Sequence, residues 1–197
     1  MIILMILMSV AYASLSEYLL HRYVMHRPVW FLTYPFEAHA KVHHRVFKYD
    51  ETYHLINEKD KWTIPMAWWN GLVLIILLSV IPAILSLAFH EWWILAIAAA
   101  IGTKYYLTYE YVHWCMHLPK QKKRLIERFP VIGWIFYRLN GHHLLHHRYM
   151  NRNYNVVLPL WDLCLGTLLI RSKTPFNQAR GRCVPDVQPK ARAARTP

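Results

Sequence analysis

The chain has 197 residues, of which 55% are hydrophobic and only 17% charged, yet it carries a formal charge of +12. That length suits one domain rather than two, and the composition is too apolar for an ordinary soluble domain of this size. The three cysteines, Cys115, Cys164 and Cys183, show no CxxC spacing. They argue against a disulfide framework and read as reduced thiols or core filling.

Taken in chain order, the first apolar run is Met1 to Ser16. It lacks a positive leading region and runs into a charged helical continuation rather than a cleavage site, so it reads as a retained membrane helix. It is short for a span. From Trp62 to Phe89 there is no charged residue, which exceeds the ~20 residues a crossing needs. Only His90 and Glu91 separate this run from a third, Trp92 to Tyr111, interrupted by Lys104 and Glu110. These two predict a tight antiparallel hairpin, with Trp62, Trp68 and Trp69 at one interface and Trp92 and Trp93 at the other.

Soluble stretches fill the gaps at Glu17 to Lys61 and Leu118 to Tyr154. Within the second, Pro130 to Leu139 is apolar with one charge and is expected to lie flat in the interface. Val156 to Ile170 is apolar too, but Pro159 and Asp162 argue against a full span. Residues 171–197, rich in Pro, Arg and Ala, predict a disordered basic tail that touches anionic headgroups.

Of the 23 Lys and Arg residues, all but Lys104 fall outside the three spans and on one side, including the cluster Lys120, Lys122, Lys123 and Arg124. Positive charge stays cytoplasmic, so the N-terminus and the His90 turn face away from the cytosol. No nucleic-acid partner is expected. The fold class is all-α: an integral membrane protein with about three transmembrane helices and a cytoplasmic helical cap. Residues 1–170 form the membrane-embedded domain and residues 171–197 the tail.

Ten of the thirteen histidines fall into four short clusters: His21 with His26; His39 with His43 and His44; His113 with His117; and His143 with His146 and His147. Residues three or four apart share a helix face. His113 and His117, His39 and His43, and His143 with His146 or His147 can therefore each aim two imidazoles at one point. Adjacent pairs diverge by about 100°, so one cluster can serve two ions side by side. His21 and His26 are five apart, about 140° round a helix, which suits two different ions or a distorted last turn before Pro28. Ten imidazoles give five for each of two ions, leaving room for an exogenous ligand.

Each cluster alone has a plainer reading, since HxxxH on a cytoplasmic helix is often a solvated face. Four clusters, all at cytoplasmic ends or segments, favour a dimetal site. His54 and His90 stand apart and read as surface or interface residues, and His142 is either a ligand or a supporting partner. Glu17 lies one turn before His21 and Glu110 three residues before His113. Metal-bound imidazoles usually donate their other N–H to a carboxylate or carbonyl, which gives these acids, and Asp162 for the last cluster, a candidate supporting role in catalysis. Glu110 could instead pair with Lys104. The ligand type disfavours Mg and Ca and leaves Fe, Zn, Cu or Ni. A structural zinc site needs only four ligands.

HxxxxH, HxxxHH, HxxxH and HxxHH, in this order and interleaved with membrane spans, resemble the fatty acid hydroxylase / sterol desaturase superfamily. His143-Leu-Leu-His146-His147, then Asn153-Tyr154-Asn155-Val156-Val157, Pro159-Leu-Trp161-Asp162 and Gly166-Thr167, looks like the C-terminal signature of that family, and Tyr109-Glu110-Tyr111-Val112-His113 also matches. The resemblance covers roughly residues 15–170. It implies a non-haem centre of two Fe ions, O2 as oxidant, a membrane lipid substrate, and electrons from a cytochrome b5- or ferredoxin-type donor. Zn in place of Fe is compatible with purification, because imidazole sites bind Zn(II) more tightly than Fe(II). Larger members carry a fused cytochrome domain and more than one span before the first motif; here the donor must be a separate protein. Hydroxylation is the favoured reaction. Desaturation and carotenoid hydroxylation are alternatives within the superfamily. A membrane metal-binding or transport protein and a bis-histidine haem protein are rivals from other classes.

Overall fold

A computed structural model describes residues 2–119 and 124–170 of the protein. Lys120, Lys122, Lys123, Cys183 and the basic tail lie outside these residues. Among the described residues there is no β-strand, only an isolated bridge between Val29 and Leu32. The expected all-helical class holds.

Helix α1 spans Ile2–Leu20 and continues without a break into a π-helical turn, His21–Met25. Its sequence is mostly Ile, Leu, Met, Val and Ala with no Gly or Pro, and the run ends just before Pro28, which cannot continue a helix. The result is a 24-residue apolar stretch, Ile2–Met25, long enough to cross a bilayer. The helix therefore runs nine residues past Ser16, where the apolar composition stops. Its buried positions are Ser9, Ala13, Ser14 and Tyr18, mostly small residues that let a neighbouring helix approach closely.

A cap segment follows: α2 (Tyr34–Phe36), a π-helical turn (Glu37–His43), α3 (His44–Val46) and two 3-10 turns, Glu51–Tyr53 and Glu58–Thr63. Helix α4, Trp68–Phe89, comes next. It turns Asn70, Gly71, Pro82 and Ser86 inward and leaves Leu72, Ile76, Val80 and Ile84 exposed. A soluble helix does the reverse; an apolar outward face this extensive is suited to lipid. Gly71 lets the tip of the Tyr106 side chain pack close against α4, since a Cβ there would lie 2.4 Å from it and push it aside.

The hairpin forms as the spacing predicts. His90 takes a left-handed conformation (φ 54°), its N–H reaches the Leu87 carbonyl and the Glu91 N–H reaches that of Ser86 at 3.0 Å. This is the Schellman arrangement, with histidine where glycine is usual. Helix α5, Trp92–His117, then returns along α4 and α1 for 26 residues, or ~39 Å. Two stretches, Ile2–Met25 and Glu58–Phe89, are both long and apolar enough to cross a membrane. α5 has the length, but Lys104, Glu110 and its tyrosines make it less apolar than either.

The 3-10 turn Leu125–Arg128 leads into α6, Pro130–Arg148. The segment expected to lie flat in the interface is thus the first half of the helix that carries the last histidines. Val131, Ile132, Trp134 and Ile135 are exposed on it. α7, Leu160–Cys164, is a single short turn, and among the described residues no span forms after Val156. Instead this segment docks on α1: Trp161 Nε1 donates to the Ala11 carbonyl and the Ser14 hydroxyl to that of Leu158, each at 2.9 Å. The cap core is Tyr53, Val112, Cys115, Met116, Phe136, Leu144 and Val156. Buried Arg124 ties it to the end of α5 by donating to the Cys115 and Leu118 carbonyls while pairing with Glu127 at 2.8 Å.

Candidate metal centre

All ten expected histidines meet in two groups of five. His21, His26, His39, His44 and His146 form an outer cluster, with His26 and His44 only half-buried; His43, His113, His117, His143 and His147 form a fully buried inner one. Within each group the ring nitrogens all lie within 4.8 Å of one another. The adjacent pairs divide as their divergence predicts: His43 and His147 go inward, His44 and His146 outward.

One pairing differs from expectation. His39 and His43, four apart, separate between the clusters, and His39 instead joins His44. His21 and His26 share the outer cluster, the outcome that the distorted turn before Pro28 allows. Both pairs five apart begin within π-helical turns, His21–Met25 and Glu37–His43. The wider i→i+5 winding brings residues five apart onto one face, which α-helical spacing does not.

The ring nitrogens are prearranged for a cation. His21, His43, His117, His146 and His147 each donate Nδ1–H to a backbone carbonyl, those of Tyr154 (2.5 Å), Thr63 (3.1 Å), Tyr53 (2.8 Å), Arg152 (2.7 Å) and Phe47 (2.5 Å). A carbonyl can only accept, so the proton sits on Nδ1 and the Nε2 lone pair points into the cluster. Those Nε2 atoms converge: His21 on His39 at 2.9 Å, His26 on His146 at 3.0 Å, His44 on His39 at 3.1 Å, His147 on His143 at 3.1 Å. Two imidazole nitrogens bound at right angles to one ion, each ~2.1 Å away, lie ~3 Å apart. His43 and His113 leave Nε2 buried with no partner, a costly arrangement that a cation relieves. The residues present fit two transition-metal ions.

Their electrostatics agree. Burial holds the imidazoles below their ordinary value of 6.5, His43 and His146 down to about 4, and His39, His44, His143 and His147 well below it with neighbouring imidazoles adding to the effect. Neutral imidazole is the ligating form.

The acids behave differently from expectation. None of Glu17, Glu110 and Asp162 accepts an N–H from the ten histidines; the orienting acceptors found are backbone carbonyls. Glu17 accepts from Tyr105 Oη at 2.5 Å, Asn155 Nδ2 at 3.1 Å and the Val156 N–H at 2.5 Å. Asp162, fully buried, accepts from the N–H groups of Tyr154 (2.9 Å) and Asn155 (2.7 Å) and from Thr167 Oγ1 (2.6 Å). Both acids therefore hold the segment whose carbonyls at Arg152 and Tyr154 orient His146 and His21. Glu110 forms no ion pair with Lys104 among the described residues; it lies beside the Tyr106 hydroxyl and Met66. His142 is buried outside both clusters, 3.7 Å from Asp162. His54, expected at a surface, is buried and donates to the Leu118 carbonyl at 3.1 Å. His90 is exposed at the α4–α5 turn.

Two cavities reach the clusters. A vestibule of about 330 Å³ is lined by His39, His43 and His113 together with Tyr34, Thr63 and Met66. A narrow cleft of about 80 Å³ runs between α1, α4 and α5, lined by Val73, Leu74, Leu77 and Leu78 at its apolar end and by His21 at the other. The carbonyl acceptors, the π-helical turns and these cavities were missed at the level of sequence. Only Pro28 and the Asn153-Tyr154-Asn155 run hinted at the first two.

An all-helical fold with two stretches long and apolar enough to cross a membrane, and paired five-histidine clusters that could each hold a metal ion, is the class the structure defines. The profile of the fatty acid hydroxylase family matches residues 6–167, and the chain belongs to that family, an oxidoreductase-type lineage within the sterol desaturase/fatty acid hydroxylase superfamily. No curated protein and no solved structure matches the chain.

Proposed function

We propose that this protein is a membrane oxygenase that hydroxylates a lipid acyl chain, using two iron ions, O2 and electrons from a separate cytochrome b5- or ferredoxin-type donor. The observation that carries this reading is the pair of five-imidazole clusters in a member of the fatty acid hydroxylase family. Ten ligands exceed any scaffolding need, and imidazole suits iron as well as zinc. Bound there, the ions supply the O2-activating redox chemistry.

The protein's own residues do the rest. The outer five histidines hold one ion and the inner five the other. Backbone carbonyls at Tyr53, Thr63, Arg152 and Tyr154 fix their tautomers, and Asp162 and Glu17 hold the last two carbonyls in place. The cleft between α1, α4 and α5 admits an apolar chain from the bilayer. The burial of the inner cluster excludes bulk water. In this reading α5 is a third span, the clusters sit on the cytoplasmic side, and the basic face there steers an acidic donor.

The test is lipid mass spectrometry of cells with and without the gene under 18O2. A lipid heavier by one labelled oxygen, lost in His146→Ala, is the expected result. A lipid lighter by two hydrogens would reassign the reaction to desaturation, and no O2-dependent change would overturn the enzyme reading.

A further inference from the structure

The hairpin helices α4 and α5 carry one glycine each, and only one is explained by what packs against it. Gly71 on α4 makes room for the tip of Tyr106, which lies 2.4 Å from where a Cβ would stand. Gly102 on α5 is buried too, yet a Cβ there would meet nothing within 4 Å. Glycine within a helix is unfavourable relative to alanine, and a buried position facing empty space is rare in a close-packed interior. What this glycine provides is space. Gly102 lines the cleft between α1, α4 and α5. From it the lining follows one face of α5 through Tyr105 and Tyr109, and four residues further on stands His113 of the inner cluster. On α1 it follows Ala13, Glu17 and Leu20 to His21 of the outer cluster. Gly102 and Ala13, both buried, therefore mark the end of the cleft far from the histidines.

Resting on the reading of this site as a lipid hydroxylase, we propose that Gly102 sets the length of acyl chain the protein accepts. The methyl end of the chain lies in the space beside Gly102, and the carbon to be oxidised sits at the histidine end. Helix rise gives the distance between them: eleven residues from Gly102 to His113 and eight from Ala13 to His21 correspond to ~17 and ~12 Å. An extended chain of C–C bonds ~1.5 Å long advances ~1.3 Å per carbon in zigzag, so about 9–13 carbons lie between the two ends. A side chain at position 102 would stand in the path of those carbons. Leucine, whose side chain has four carbon atoms, would take the place of about four methylene groups; in a site already filled by protein it would instead force its neighbours apart.

Photolabelling tests this without turnover. The full-length protein in phosphatidylcholine nanodiscs is irradiated with phosphatidylcholines whose second acyl chain, of graded length, ends in a diazirine, and the labelled residues are mapped by peptide mass spectrometry. In the wild type the preferred length is expected to place label beside Ala13 and Gly102, which are shielded from bulk lipid. Gly102→Leu should shift the preferred length down by about four carbons and move the label about one helical turn toward the histidines, to Glu17 and Tyr105. Metal content and unfolding midpoint should not change, because the added atoms enter open space. Gly102→Ala should shift the length by about one carbon, and Leu107→Phe, on the exposed side of the same helix, should shift nothing. An unchanged length profile in Gly102→Leu overturns the proposal even if 18O2 incorporation succeeds. So does loss of metal or of the folded protein in that variant, since the space would then not be free, and so does an equal shift in Leu107→Phe. The expected shift in a protein that oxidises no lipid upholds length selection and overturns the hydroxylase reading alone.

Discussion

Four of the five imidazoles of the inner cluster come in pairs four residues apart on α-helices, His113 with His117 and His143 with His147. Four of the five in the outer cluster come in pairs five apart, His21 with His26 and His39 with His44, each beginning in a π-helical turn. Each cluster then takes its fifth ligand from an element that mainly serves the other: His43 from the second π-helical turn, His146 from α6. The inner site is built on two regular helices and is fully buried. The outer site leans on irregular turns and leaves two ligands half-exposed. Equal ligand number therefore does not mean equal rigidity, and the exchange of fifth ligands makes each site part of the other's scaffold.

The most direct way to break the comparison is to remove the exchanged neighbours one at a time. His146→Ala should empty the outer site and His43→Ala the inner one, each lowering metal content from two ions per chain to one by elemental analysis. Acidification should act on both sites together. His43 and His146 are held at about 4, below their ordinary 6.5, so above pH 6.5 folded and unfolded chains are equally neutral. As pH falls, the unfolded chain takes up protons first, and the metal-free protein should lose stability between pH 6.5 and about 4. Unfolding midpoints across that range check the sign; a rise in stability on acidification would contradict it.

Asp162→Asn should distinguish the sites. It leaves one acceptor oxygen where two receive three donors, at a cost of roughly 1.5–3 kcal/mol, and it loosens the carbonyls behind His21 and His146. Metal should be lost from the outer site first, visible as a drop toward one ion per chain with the inner cluster intact. Chelation sharpens the same contrast more gently: a chromophoric chelator should remove the ions in two phases, the faster from the outer site, and His44→Ala should abolish the fast phase. His90→Ala, at the far turn, should leave both sites filled.

How far the sequence could be read depended on winding. The α-helical pairs at His113 and His143, and the splitting of His43-His44 and His146-His147, followed from 3.6 residues per turn. The His39–His44 pairing did not, because nothing in Glu37–His43 marks an extra residue per turn. The hairpin at His90 was legible from two residues between apolar runs, although its left-handed histidine was not. The acids were read as imidazole partners because carboxylates are visible in a sequence, whereas the acceptors actually used are backbone carbonyls, which every residue carries. Glu17 and Asp162 support the histidines at one remove, through the segment 153–156.

The backbone acceptors have a consequence for the order of biosynthesis. The inner cluster has its last ligand at residue 147, and the three carbonyls that orient it come from residues 47, 53 and 63. The outer cluster begins at His21, yet it is not fully oriented until the carbonyls of Arg152 and Tyr154 have been synthesised and folded back. A chain emerging N-terminus first thus presents its earliest histidines in an unformed site and completes that site last. On the proposed two-ion reading, metal capture at the outer position becomes a report that translation has passed residue 154, and a chain truncated before it would lack the carbonyls that orient His21 and His146.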